Sequence, residues 1–101
     1  EEERINWQQH ASDVVAHIKA FSPAPGAYFK YQGQQIKIID AEWDETAVYN
    51  MSPGTVLDAD LSIFTQTGVL KPIKVKRQGK KTMSVQDMLR GFPIQLGDVL
   101  Q

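Results

Sequence analysis

Cysteine is absent from the chain, and with it go disulfide staples, thiolate nucleophiles and thiolate metal sites. That absence fits a reducing compartment. No apolar run approaches the roughly 18 residues that would read as a membrane span. The N-terminus also lacks the basic, apolar and small-residue order of a secretory signal, so no membrane partner is expected. The seven glycines are scattered as turn residues, which excludes a phosphate-cradling glycine loop. Histidine is scarce: His10 and His17 share nearly one helical face but lie about 10 Å apart along it, too far to hold one metal. Both are read as surface residues. Ser84 has no His–Asp company and is better explained as a helix cap. No catalytic residue is expected.

Two local absences carry more information. No aromatic residue lies between Phe64 and Phe92, and no acid lies between Lys71 and Lys81. The net charge of −1 hides this asymmetry. Residues 1–60 hold ten acids and four bases, whereas residues 61–101 hold two acids and seven bases, six of them between Lys71 and Lys81. A split of this kind points to a polyanionic partner. On the acidic side, Asp40, Glu42 and Asp44 alternate along one strand face, with Glu45 following. They lack the glycine turn and spaced acceptors of a calcium loop, so they read as a solvated face and no metal is expected.

What remains is ordinary globular material. With 101 residues, 42% of them hydrophobic and 23% charged, the chain is one domain. It can bury roughly 60–65% of its unfolded surface. It begins at Glu1 rather than Met and is read as a piece of something longer. Ala11, Val14, Val15, Ile18 and Phe21 recur at helical spacing, and Pro23 must end that helix. Residues 22–26, "SPAPG", form a rigid connector. The period then changes to that of strands: 28–32 and 36–43 about a turn at Gly33, a loop with Asn50, Pro53 and Gly54, then 55–58, 61–66 and 69–76. Ser84 caps a second helix, with Asp87 at the third position and Met83 packing on Met88. Val85, Met88 and Leu89 form its buried stripe, and Gly91 and Pro93 stop it. Trp7, Phe21, Tyr28, Phe29 and Trp43 are read as core and connector packing. The expected fold is α+β: mainly β with two helices, as a small OB-like open β-barrel.

The basic stretch "KPIKVKRQGKK" reads as a strand with Ile73 and Val75 inward and Lys74 and Lys76 outward. Arg77, Lys80 and Lys81 extend the outward face through a turn to the second helix. Lys80 and Lys81 have the wrong sign for a helix start, which favours carboxylates. An anion arriving from elsewhere would explain them. Surfaces that bind single strands use aromatic platforms. None is present here, so phosphates of a folded or duplex RNA are the better match.

Several segments occur in an order that carries a family resemblance: "RINW" (4–7), "AFSPAPGAYF" (20–29), "PGTVLD" (53–58), "GKKTMSVQDMLRGFP" (79–93) and a closing "GDVL". Together they resemble the C-terminal domain of methionyl-tRNA formyltransferase over nearly the whole chain. The resemblance implies a non-catalytic OB-like domain spanning 1–101, with 1–8 as its lead-in. Such a domain follows a Rossmann-type catalytic domain and helps hold initiator tRNA through a positively charged surface. The parent enzyme transfers a formyl group from 10-formyltetrahydrofolate to methionyl-tRNA in translation initiation. The folate and the catalytic Asn, His and Asp belong to the other domain, so no cofactor is expected in this one. The same resemblance implies a cytoplasmic monomer. Lys80 and Lys81 match the family's lysine pair, and Ser84, Gln86 and Asp87 match its helix start. Asn6, Ala24 and Arg77 depart from it, standing where an acid, an aromatic residue and a proline are common. The RNA-binding residues expected are Lys74, Lys76, Arg77, Lys80 and Lys81. Two other readings stay open: the C-terminal domain of a sugar-nucleotide formyltransferase, and a free-standing protein-binding barrel that uses the acidic half.

Overall fold

The computed structural model describes residues 3–45 and 51–100. Asn50 of the expected loop, and Glu1 and Glu2, lie outside the described residues. The elements run α1 (Ala11–Phe21), β1 (Ala27–Tyr31), β2 (Gln34–Asp44), β3 (Ile63–Phe64), β4 (Val69–Arg77), β5 (Met83–Ser84) and α2 (Val85–Gly91).

The first helix buries Ala11, Val14, Val15 and Ile18, four of the five residues of the stripe that its sequence period sets out, while Phe21 at its end is only half-buried. Its cap corrects the sequence reading of His10. Rather than a free surface residue, His10 is half-buried and its Nδ1 accepts the Ser12 N–H at 3.0 Å, doing the work of a capping oxygen. After α1 the chain turns through 22–26, where the Ser22 hydroxyl donates to the Ile39 carbonyl at 2.8 Å.

The β1–β2 hairpin turns on Gln32 (φ 51°) and Gly33 (φ 78°). Two successive positive φ values give the turn whose twist matches that of the flanking strands. The sheet then runs β1-β2-β4-β3, with β5 also on β4, and its pairings are antiparallel. Between β2 and β4 the register breaks: Ile38 faces Val75, Asp40 faces Lys74 and Ala41 faces Pro72. Both strands change phase at this bulge, so Ile36, Ile38 and Ala41 all stay buried, with Val75 opposite Ile38 and Pro72 opposite Ala41. The strict alternation expected for β4 therefore fails at Ile73, which is 37% exposed, while Pro72 turns inward. A bulge tolerates a proline because it has already given up a ladder bond.

Segments outside the regular strands curl the sheet into a half-barrel. The residues before α1 bond to β1 (Ile5 N–H to Tyr28 O, 2.8 Å; Tyr28 N–H to Glu3 O, 2.9 Å) and then take the Gln66 N–H on the Trp7 carbonyl. At the other margin, Gly54 donates to Phe64 O at 2.7 Å and Leu100 donates to Gly54 O at 2.9 Å. The strand expected over 55–58 makes only the isolated bridges Thr55–Val99 and Val56–Ile63, and that over 61–66 shortens to Ile63–Phe64. In exchange, β5 adds a short pairing with β4 that the sequence pattern did not suggest. The α+β open barrel itself is borne out.

Phe29, Ile18, Ile36, Ile38, Leu61, Ile63, Leu70 and Met88 fill the centre. Trp7 joins them, its ring 6.1 Å from Phe29. Trp43 does not. It is 36% exposed, and its ring lies nearly perpendicular to that of His10 with centroids 5.0 Å apart. Across the barrel, the Tyr31 hydroxyl donates to Asp98 Oδ2 at 2.6 Å, and this bond raises the Tyr31 pKa by favouring its protonated form.

Gly54 stands where closure is tightest. Its φ is 97°, and a Cβ there would lie 2.9 Å from the Leu100 carbonyl oxygen and 3.2 Å from Trp7 Cδ1. Gly54→Ala should cost about 2–3 kcal/mol, read as a lower urea midpoint with unchanged slope. Gly33→Ala, at φ 78° in open space, should cost only about 1 kcal/mol. Asp58 generates a second expectation. Burial pushes its carboxyl pKa up, but hydrogen bonds from Ser62 and Asp60 outweigh that and hold it below the ordinary value. Those bonds fasten a turn in which buried Leu61 sits at φ 63°. A lowered folded pKa contributes stability that is present above the unfolded value of about 3.9 and lost as pH falls through the folded one. Asp58→Asn should therefore flatten the acid limb of the stability curve below about pH 4, as followed by thermal unfolding across pH.

Candidate nucleic-acid interface

Strand alternation about buried Val75 sends Lys74 and Lys76 to the outer face of the sheet. Lys74 is exposed and Lys76 half-buried. At the end of β4 the chain turns tightly, with Lys80 N–H on the Arg77 carbonyl at 3.0 Å and Gly79 at φ 78°. Lys80 and Lys81 follow, both exposed. The chain then folds back so that Ser84 pairs with Lys74. The basic run and the start of α2 are thereby fastened side by side.

The α2 cap forms as its sequence requires: Asp87 N–H donates to Ser84 Oγ at 3.1 Å. The Asp87 carboxylate is engaged elsewhere, 2.7 Å from Arg90 Nη1. It is therefore not turned to Lys80 or Lys81. Among the described residues no ion pair involves Lys74, Lys76, Lys80 or Lys81. Lys71, the other lysine of the run, behaves differently. It lies 2.9 Å from Asp44, whose hydrogen bond and charge raise its pKa.

Arg77 is set apart from the lysines. It pairs across the sheet with buried Ile36 and so shares that residue's side. Its guanidinium lies 4.3 Å over the Phe92 ring, and Nη2 donates to Gln34 Oε1 at 3.2 Å. Stacking and hydrogen bonding fix the fork. Nε is buried, with no hydrogen-bond partner among the described residues.

The residue that sequence reasoning missed is Lys37. The β2–β4 register sets it directly opposite Lys76. Gln35, Lys37, Lys76, Arg77, Gln78 and Gly79 together line a shallow cleft of about 170 Å³. Lys37 lies in the acidic half of the chain, and only the pairing of β2 with β4 could have revealed it. The acidic face of Asp40, Glu42 and Asp44 lies farther along β2, with Lys71 among it. Among the described residues no group of three His, Asp or Glu side chains is placed to hold a metal. No helix among them is long and apolar enough to cross a membrane.

Comparison with known proteins gives this geometry its context. The family model described as formyl transferase, C-terminal domain, matches residues 1–93. The methionyl-tRNA formyltransferase of Rickettsia bellii is 38% identical over 92 residues, covering 91% of this chain and 30% of its own length. That of Rhizorhabdus wittichii is 38% identical over 99 residues, covering 98% of this chain and 32% of its own. The chain thus spans about a third of the length of these curated relatives. Among solved structures, HypX from Aquifex aeolicus in complex with tetrahydrofolic acid covers the whole chain and 21% of HypX, with a TM-score of 0.66 at 20% identity. That likeness is one of fold. By the family match and these relatives together, the chain belongs to the formyl transferase C-terminal domain family.

Proposed function

We propose that this chain is the tRNA-holding C-terminal domain of a methionyl-tRNA formyltransferase. In this reading residues 1–101 form one domain joined to a Rossmann-type catalytic domain within a cytoplasmic, monomeric enzyme. That other domain carries the chemistry, taking the formyl group from 10-formyltetrahydrofolate and placing it on initiator methionyl-tRNA. This domain contributes affinity and orientation. The names of the relatives support the substrate, and one observation supports the role: among the described residues Lys76, Lys80 and Lys81 make no ion pair, and neither does Lys74, although Asp40 stands opposite it. Unneutralised ammonium groups grouped about one strand end are matched by phosphates. Arg77, pinned on Phe92, adds charge at the wall of the same region. With no aromatic residue between Phe64 and Phe92 to stack a free base, the surface suits a folded duplex portion better than a single strand.

An anisotropy titration against folded tRNA at three salt concentrations tests this. The dissociation constant should be on the order of 10⁻⁴–10⁻⁶ M near physiological salt and should rise steeply with added salt. Lys80→Ala and Lys81→Ala should each flatten the log–log slope by about 0.7–0.9. Coincident slopes for wild type and the double variant would sink the assignment. A structural control accompanies it. Ser84→Ala should lower stability by about 1 kcal/mol while leaving the affinity of the folded fraction unchanged.

A further inference from the structure

Tyr28, Lys37 and Lys76 form one row across β1, β2 and β4. Two lysines directly opposite in an antiparallel pair have Cβ atoms about 4.5–5.5 Å apart, and like charges so placed destabilise the sheet. By register the two lysines share one face, and among the described residues no carboxylate pairs with either. Lys37 is also seated rather than free. Its stem lies across Gly26, where an added Cβ would come 2.8 Å from Lys37 Cδ.

The surroundings of the pair narrow the ligand. The cleft of about 170 Å³ is several times the ~30 Å³ share of one water, room for a tetrahedral anion with part of its hydration. Gln35 and Gln78 also line it, residues whose side-chain amides can donate, and Gln78, in the turn after β4, is tied to β2 by its N–H on the Gln35 carbonyl at 3.1 Å. A planar carboxylate is best matched by a guanidinium fork. Here Nη2 of the Arg77 fork is already bonded to Gln34, which leaves the two ammonium groups, and lysine binds phosphate as a point charge.

We propose that this cleft seats a single RNA phosphodiester between Lys37 and Lys76, with the Gln35 and Gln78 amides as further donors. Lys37 is thereby an RNA-binding residue contributed by the acidic half of the chain. This rests on the tRNA reading above and gives it a defined phosphate position, separate from Lys80 and Lys81.

The test uses Lys37→Gln, Lys76→Gln and the double variant of the same chain, with thermal unfolding in the absence of RNA and anisotropy against folded tRNA. Relief of the like-charge pair should raise Tm by about 2–5 °C in each single variant. Each should also weaken tRNA binding by roughly tenfold. Because both lysines serve one phosphate, the double variant should lose less than the product of the singles. Its salt slope should flatten by only about 0.7–0.9 in total. Multiplicative losses with twice that change in slope would mean two separate phosphates and overturn the proposal. So would a Lys37→Gln chain that binds as wild type, or one that loses Tm and affinity together. In those cases tRNA binding by the wild type would still stand. A wild type that does not bind tRNA at all would remove both readings.

Discussion

The pairing of β2 with β4 is the constraint on which the other parts depend. It runs from Ile36 opposite Arg77 to Asp44 opposite Val69, and its two successive register shifts fall one on each strand. A slip of one residue in a strand pairing moves every side chain to the other face. Here the two strands change phase at the same place, so the inward set is Ile36, Ile38 and Ala41 on one strand and Val75, Pro72 and Leu70 on the other. The same register puts Lys37 beside Lys76 and brings Lys71 within reach of Asp44. Core and charged face thus follow from one alignment. Neither could be shifted without the other.

Around that ladder the regular strands are short and the closing work falls to irregular backbone. The run before α1 satisfies Tyr28 and Gln66, the first residue of α1 satisfies the Thr67 carbonyl, and the run after α2 satisfies Gly54 and Val56. These bonds matter because an unpaired backbone group at a buried margin carries the full desolvation penalty. They also explain why Ile5, Trp7 and Leu100, all outside the regular elements, are buried. Arg77, Phe92, Tyr31 and Asp98 tie the same closing run to the strands through a stacked cation, an edge-on ring and a short hydrogen bond.

Legibility in the sequence divided along physical lines. The stripe of α1, the Ser84 cap and the turn at Gly33 rest on neighbouring residues, and each lies where local chemistry places it. Ile73, Trp43 and Lys37 depend on which strand lies opposite and in what register. A bulge leaves no mark in the composition of its strand, so the expected inward turn of Ile73 failed. The histidine cap of α1 escaped notice because an imidazole nitrogen seldom replaces the oxygen of Ser, Thr or Asp. For the basic surface, the run itself was visible while its division was not. That Lys71 is committed to Asp44 and Arg77 to Phe92 follows only from tertiary neighbours.

The outer face of β2 also separates charge along its length. Glu42 and Asp44 lie toward one end and Lys37 toward the other, with Lys76 beside it, a span of roughly 23 Å from residue 37 to residue 44. Such a strand carries a permanent electric moment directed along the sheet. In the field of a polyanion it experiences a torque before any contact forms. The molecule then approaches basic end first and acidic end trailing, which raises the fraction of encounters that are productive. The bulge that keeps the core in phase is thus also part of what sets the direction in which the domain meets a charged partner in solution.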